Sequence, residues 1–215
     1  MKKLHYGIIG CGTFGEHHIM GIQELRNAEI VALCDVNLER CKELAERYGI
    51  KKVYRDYREL LKDEEVEAVA IVTSDQTHAE ITEAALHAGK HVLCEKPMSL
   101  DLDECRGMIQ ASDESGKKLM IGQICRFTPG FIEAKKLVDK GLIGELFFVE
   151  SEYAHDYSHM TSPNNWRMSP ERHPIIGGAC HAIDLLRWIA GDPVETTAYS
   201  NHKVLDEWPV DDCTV

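Results

Sequence analysis

The chain has 215 residues, and several features are missing that would direct the reading elsewhere. No apolar run is long enough to span a bilayer, so a transmembrane helix is excluded. Basic charge is in deficit: 24 Lys+Arg stand against 36 Asp+Glu, a formal charge of −12 with histidine neutral. Such a balance excludes coating nucleic acid or docking on an anionic membrane, since both need a basic surface. Eight cysteines are present, but no two are spaced C-x-x-C, so zinc-ribbon and thioredoxin readings fail. Several lie in strand-like apolar runs, such as Ala32-Leu33-Cys34 and Val92-Leu93-Cys94. Buried free thiols in a reducing compartment are therefore expected. A signal-peptide core is also missing, because His5, Gly7, Gly10 and Gly12 interrupt the stretch after Lys2 and Lys3. The expected location is the cytoplasm. There is no internal repeat, and 44% hydrophobic with 28% charged residues is an ordinary foldable composition.

What is present is alternation. Apolar runs at 4–10, 29–35, 67–73, 91–95 and 118–123, with a short one at 52–54, read as strands. Helical patterns lie between them, from the glycine-rich turn to about 27 and at 37–48, 77–88 and 101–115. Gly49, Gly89 and Gly116 follow three of these, as C-terminal stops do. Nearly continuous apolar strands suit a parallel sheet covered on both faces. Residues 1–123 are therefore expected to form a doubly wound α/β domain.

Residues 124–215 read as a second, α+β domain. Helix 130–140 leads to a long strand-like stretch from Glu145 to about His155. A Pro/Asn/Ser-rich loop at 158–174, helix 180–190 and strand-like material from 193 follow. This domain's open sheet reads as unfinished at Val215, as in a truncated chain.

In doubly wound sheets, ligands bind at the C-terminal ends of the strands. Strand one ends in Gly10-Cys11-Gly12-Thr13-Phe14-Gly15, a G-x-G-x-x-G that follows a strand and opens a helix. Its glycines permit a tight turn and close approach to a pyrophosphate on a helix N-terminus. Asp35 follows 20 residues after Gly15, at the end of strand two, where a carboxylate would bind the adenosine ribose hydroxyls. That points to NAD, with NADP possible because Arg40 is near. Strand four ends at Thr73-Ser74-Asp75 with His78 following, which also reads as a helix N-cap cluster. Strand five ends in Glu95-Lys96-Pro97, a charged pair at the mouth of a buried strand.

On helix 180–190, Ala182, Leu185, Leu186 and Ile189 form the apolar stripe. His181 and Asp184 are an i, i+3 pair on an adjacent face. His181 lies in the first turn, where the helix dipole favours a neutral, proton-accepting imidazole. His155 and His159 form an H-x-x-x-H. It has no clear third ligand, so no metal site is expected and substrate contact by His155, Tyr157 or His159 is the better reading.

Together these residues resemble the Gfo/Idh/MocA family of NAD(P)-dependent oxidoreductases. The resemblance rests on GCGTFG at 10–15, Asp35, VTSDQTH at 72–78, AGKHVLCEKPMSL at 88–100, RFTP at 126–129, GLIGEL at 141–146 and HAIDLLRW at 181–188. It implies a Rossmann fold for the doubly wound domain at 1–123, and hydride transfer between a nicotinamide cofactor and a sugar, polyol or cyclitol hydroxyl. It implies Lys96 and His181 as catalytic residues and a Trp166-Arg167 pair near the cofactor. Gly10 to Gly15, Asp35, Thr73, Ser74, His78, Glu95 and Lys96 would hold the dinucleotide. Lys96, Arg126, His155 and His181 would meet the substrate. The Lys96–Pro97 peptide is a candidate cis bond. A homo-oligomer is implied if the second sheet is complete. Where many members carry an Asp four residues before the histidine, this chain has Gly177. Asp184 is then the candidate to orient His181, with His173 as a substitute. Alternative readings are an NAD-dependent glycosidase of the same fold and a catalytically degenerate NAD-binding protein.

Overall fold

The apolar runs become strands because each finds a neighbour and loses both faces to helices. A computed structural model describes residues 2–156 and 163–214. By its internal packing the chain divides into two units, residues 1–122 and 123–215.

The first unit holds β1 (Leu4–Ile9), α1 (Thr13–Gln23), β2 (Ala28–Cys34), α2 (Leu38–Tyr48), β3 (Lys52–Tyr54), α3 (Tyr57–Leu61), β4 (Ala68–Ile71), α4 (His78–His87), β5 (His91–Cys94), α5 (Leu102–Ser115) and β6 (Leu119–Ile121). The sheet is six-stranded in the order β3-β2-β1-β4-β5-β6, and all its pairings are parallel. Alternating strand residues feed two cores. Ile8, Leu33 and Ala70 pack with Ile19, Ile22 and Leu44 of α1 and α2. Ile9, Cys34, Ile71 and Cys94 pack with Leu60, Ala85 and Met108 of α3, α4 and α5. Both faces are thus covered, as a buried parallel sheet requires.

Local chemistry sets the helix ends. Asn37 accepts from the Arg40 N–H at 3.2 Å to start α2, and Gly49 ends it at φ +71°. Asp101 accepts from the N–H groups of Asp103 and Glu104 to start α5, and Gly116 ends it at φ +65°. The one-turn helix α3, capped by Asp56, is too short to show a helical period in sequence.

The register aligns Ile9 with both Cys34 and Ile71, and Ile71 with Cys94. The ladder continues one residue further, through Gly10 N–H to Cys34 O at 2.8 Å and Glu95 N–H to Ile71 O at 2.9 Å. Gly10, Asp35, Val72 and Glu95 therefore stand in a row along one rim. Strand order reverses between β1 and β4, and such switch points are where these sheets bind ligands.

The second unit contains α6 (Pro129–Asp139), α7 (Pro174–Gly177), α8 (Cys180–Ala190) and a small antiparallel pair, β7 (Ser200–Asn201) and β8 (Cys213–Thr214). Short 3-10 turns cover Ile124–Phe127 and Pro163–Met168. Residues 145–155, expected as a strand, form none. Their alternation is strand-like, but a strand also needs a paired neighbour, and they have no ladder among the described residues.

Candidate active site

The rim begins with the glycine loop, where each glycine has a separate reason. Gly10 sits at φ +103°, and a Cβ there would stand 2.4 Å from the Val72 carbonyl oxygen. A Cβ on Gly15 would stand 2.0 Å from the Gly10 carbonyl oxygen. Gly12 faces open space, with nothing within 4 Å of a Cβ position. The outer glycines thus let strand, turn and helix pack, while Gly12 leaves room for a ligand to approach the backbone. Gly12, Thr13 and Phe14 are exposed at the start of α1.

Cys11 is fully buried. Its sulfur lies 3.8 Å from that of Cys41, which together with burial pushes the Cys11 thiol up. Its main chain does the work at the rim, since its N–H donates to Asp35 Oδ2 at 2.6 Å. Asp35 Oδ1 accepts from the Asn37 N–H at 2.7 Å. The Asp35 carboxylate is thereby fixed at the end of β2.

Across the switch point, the Thr77 hydroxyl lies 2.7 Å from that of Thr73 and 2.8 Å from the Ser74 carbonyl. Ser74 begins the short turn at 75–77, but its side chain makes no capping bond. His78 is fully buried, and its Nδ1 donates to the Pro97 carbonyl at 2.8 Å. It was expected to face the cofactor; instead it ties the β4 loop to the turn after β5. The Lys96–Pro97 peptide is cis. Glu95 Oε2 accepts from the Lys96 N–H at 3.1 Å, and Oε1 lies 2.8 Å from His18 Nε2 of α1. Burial alone would raise the Glu95 carboxyl. The His18 hydrogen bond and charge, with the Lys96 N–H, outweigh burial and bring it below its ordinary value. Lys96 is half-buried beside it.

In the second unit, His181 is buried in the first turn of α8. Residues 151, 153 and 155 lie on this side of the extended stretch, with the period of two expected of a strand. The Ser151 hydroxyl donates to the Ala182 carbonyl at 3.0 Å. The Tyr153 ring is 4.3 Å from His155 and 5.8 Å from His181. Tyr153 therefore links two predicted site histidines, and only the odd-residue alternation of 151–155 could have pointed to it.

Two expectations are corrected here. Asp184 does not serve His181, because Arg126 grips both carboxylate oxygens, each at 2.7 Å. That fork-to-carboxylate geometry commits the Asp184 carboxylate to Arg126. His173 is not a substitute, since its Nδ1 accepts from the Ile175 N–H at 3.2 Å and caps α7. Gly177 has its own cause. A Cβ there would stand 2.3 Å from the guanidinium carbon of Arg172, which is buried and donates to the Gly177 carbonyl at 3.2 Å. A larger residue would have to displace that guanidinium. The Trp166 ring lies under Arg167 at 4.3 Å and Arg172 at 5.1 Å. Arg172 carried no motif that would mark it in sequence. Tyr157 and His159 lie outside the described residues.

Residues 4–123 match the model of an oxidoreductase family, the GFO/IDH/MocA NAD-binding Rossmann fold, and residues 131–215 match the GFO/IDH/MocA C-terminal domain. The chain belongs to the Gfo/Idh/MocA oxidoreductase family. The first unit is accordingly its NAD-binding Rossmann domain. Among relatives, inositol 2-dehydrogenase of Salmonella typhimurium is 32% identical over 196 residues, covering 90% of this chain and 56% of that protein. Myo-inositol 2-dehydrogenase of Thermotoga maritima is 31% identical, covering 95% of this chain and 60% of that protein. The crystal structure of aldose-aldose oxidoreductase from Caulobacter crescentus superposes with a TM-score of 0.87 at 29% identity, covering 99% of this chain and 66% of that one. The chain thus spans between half and two thirds of the length of these relatives. Within the family's Rossmann domain, the glycine loop, Asp35 and the Glu95-Lys96 pair lie along one rim, as their strand-end positions predicted.

Proposed function

We propose that this protein oxidises a hydroxyl of a small polyol, cyclitol or sugar with a bound nicotinamide dinucleotide, which supplies the hydride acceptor. The observation that carries this reading is the rim of the parallel sheet. There an exposed Gly12, a fixed Asp35 and a Glu95-Lys96 pair end adjacent or near-adjacent strands across the switch point. The open space at Gly12 and the first turn of α1 suit a pyrophosphate, and Asp35 suits the adenosine ribose. Thr73 and Ser74 are further proposed dinucleotide contacts on the rim. Trp166 and Arg167 are further proposed dinucleotide contacts.

Lys96 is the proposed proton acceptor for the reacting hydroxyl. Its backbone is held by Glu95, which stays ionised at neutral pH because its carboxyl is depressed. His181 is proposed as a second proton-handling group, with Tyr153 beside it and His155 as a substrate contact. The inositol dehydrogenase relatives support the choice of substrate class. Eight free cysteines, four of them buried, favour a reducing, cytoplasmic location. Exposed Phe147 and Phe148 favour a homo-oligomer.

The test is Lys96→Ala, with NADH formation followed on inositols and other polyols. Turnover should fall by about 10²- to 10⁴-fold while NAD still binds. Unchanged turnover removes Lys96 from the mechanism.

A further inference from the structure

Arg40 lies on α2, five residues beyond Asp35, where an arginine can accommodate the 2′-phosphate that distinguishes NADP. Its Nε donates to the Cys11 carbonyl at 3.3 Å, so the side chain reaches the glycine loop within one residue of the Asp35 carboxylate. The guanidinium is already engaged. Nη2 donates to Glu16 Oε2 at 2.5 Å and Nη1 to Glu43 Oε2 at 2.8 Å. Glu16 Oε1 in turn accepts from Arg47 Nη1 at 2.5 Å and from the Tyr48 hydroxyl at 2.9 Å. Arg47 Nη2 closes the circuit on Glu43 Oε1 at 2.6 Å. Two cations and two anions thus neutralise each other.

The two carboxylates are not equivalent. Glu43 is half-exposed and on the same helix as Arg40 at i+3, a pairing worth only a few tenths of a kcal/mol. Glu16 is 19% exposed, follows Gly15 directly, and bridges α1 to α2. The Tyr48 hydroxyl, together with Arg40 and Arg47, holds its carboxyl below the ordinary range despite some desolvation, so it is ionised at neutral pH.

We propose that Glu16 is a specificity-determining residue: by holding the Arg40 guanidinium it withholds the counter-charge a 2′-phosphate needs, and with Asp35 it selects NAD over NADP. An incoming 2′-phosphate would meet the Asp35 carboxylate and a guanidinium already bound to carboxylates. A ribose 2′-hydroxyl needs only the Asp35 acceptor. The inference rests on the dinucleotide site proposed above and concerns which dinucleotide that site takes.

The experiment measures Kd for NAD and NADP by calorimetry on wild type, Glu16→Gln, Arg40→Ala and the double variant. Wild type should prefer NAD. Removing the Glu16 charge near the pyrophosphate should tighten both dinucleotides, so the readout is the ratio of the two constants. Glu16→Gln should move that ratio toward NADP by about tenfold, the scale of one charged hydrogen bond. The movement should vanish in the double variant, because Arg40 is its agent. Arg40→Ala alone should leave the wild-type ratio within about twofold, since that guanidinium is already withheld. This last variant decides the matter even if Glu16→Gln does not fold. An unmoved ratio in Glu16→Gln, a shift that persists without Arg40, or a several-fold loss of NADP affinity in Arg40→Ala overturns the proposal. Saturable NAD binding with any of those results overturns it alone. Wild-type protein that binds neither dinucleotide overturns the site and the proposal together.

Discussion

The two units handle apolar surface in opposite ways. In the first, twenty-nine apolar residues are buried, and the parallel sheet is closed on both faces by helices. In the second, only Ala182, Leu185 and Trp208 reach that degree of burial among the described residues. Phe147 is fully exposed there, and Phe148, Leu142 and Ile143 are more than half exposed. A βα unit brings its own cover, because each crossover helix lands on the sheet it came from. An extended segment such as 145–156 depends on a neighbouring strand to become part of a sheet and on a facing layer to be buried. The first unit therefore carries its own stability, while the second has apolar surface in excess of what it covers.

The sharpest test of that contrast is a cavity in the first unit. Leu33→Ala, at a fully buried position, should cost about 3 kcal/mol in urea unfolding. A loss under about 1 kcal/mol would mean the first unit is less tightly packed than its burial indicates.

Next is Gly177→Ala, which tests whether the second unit has one locally tight spot. The added methyl should displace the Arg172 guanidinium and cost about 1–2 kcal/mol. In an Arg172→Ala background the same change should cost much less, and equal costs in both backgrounds would break the link between them.

The buried thiols offer a third probe, confined to the first unit. Burial pushes Cys34 and Cys94 from 9.0 up to about 12 each. A raised thiol pKa stabilises the fold fully below the unfolded value and loses that contribution as pH rises toward the folded value. Stability should therefore fall between about pH 9 and pH 12, by about 1 kcal/mol per thiol on reaching pH 10. Cys34→Ala/Cys94→Ala should flatten this slope, and an unchanged slope would assign it to other groups.

The smallest effect is expected at the exposed surface. Phe147→Ser should change unfolding stability by less than about 0.5 kcal/mol. A larger loss would show that Phe147 is covered in solution, which analytical ultracentrifugation of both proteins would reveal as a change of assembly.

Where signals were local, the sequence was readable. Gly49 and Gly116 ended helices where the sequence placed the stops, because a C-terminal cap involves only groups within a few residues. The strands of the first unit were readable because continuous apolar runs need both faces buried. The rim residues followed, since strand ends and the glycine pattern together specify where a ligand lies. The second unit was less readable. The stretch from Glu145 to about His155 read as strand-like, yet it pairs with no strand among the described residues.

The partnerships of individual side chains were the least legible part. An i, i+3 spacing put Asp184 within reach of His181, but Arg126, fifty-eight residues away in sequence, takes its carboxylate. Arg40, near Asp35 in sequence, left NADP open, but in the fold Glu16 of α1 lies against its guanidinium. Gly177 read as a missing carboxylate until Arg172 was found in the space.

By itself the sequence determined the Rossmann unit, the ends of α2 and α5 and the row of Gly10, Asp35 and Glu95-Lys96 along one rim. All of these depend on period, local capping and strand order. Only the tertiary structure decided which charges cancel, which histidine is structural, and why a glycine precedes α8. Those outcomes depend on side chains far apart in sequence competing for the same few ångströms, and no spacing rule records that competition.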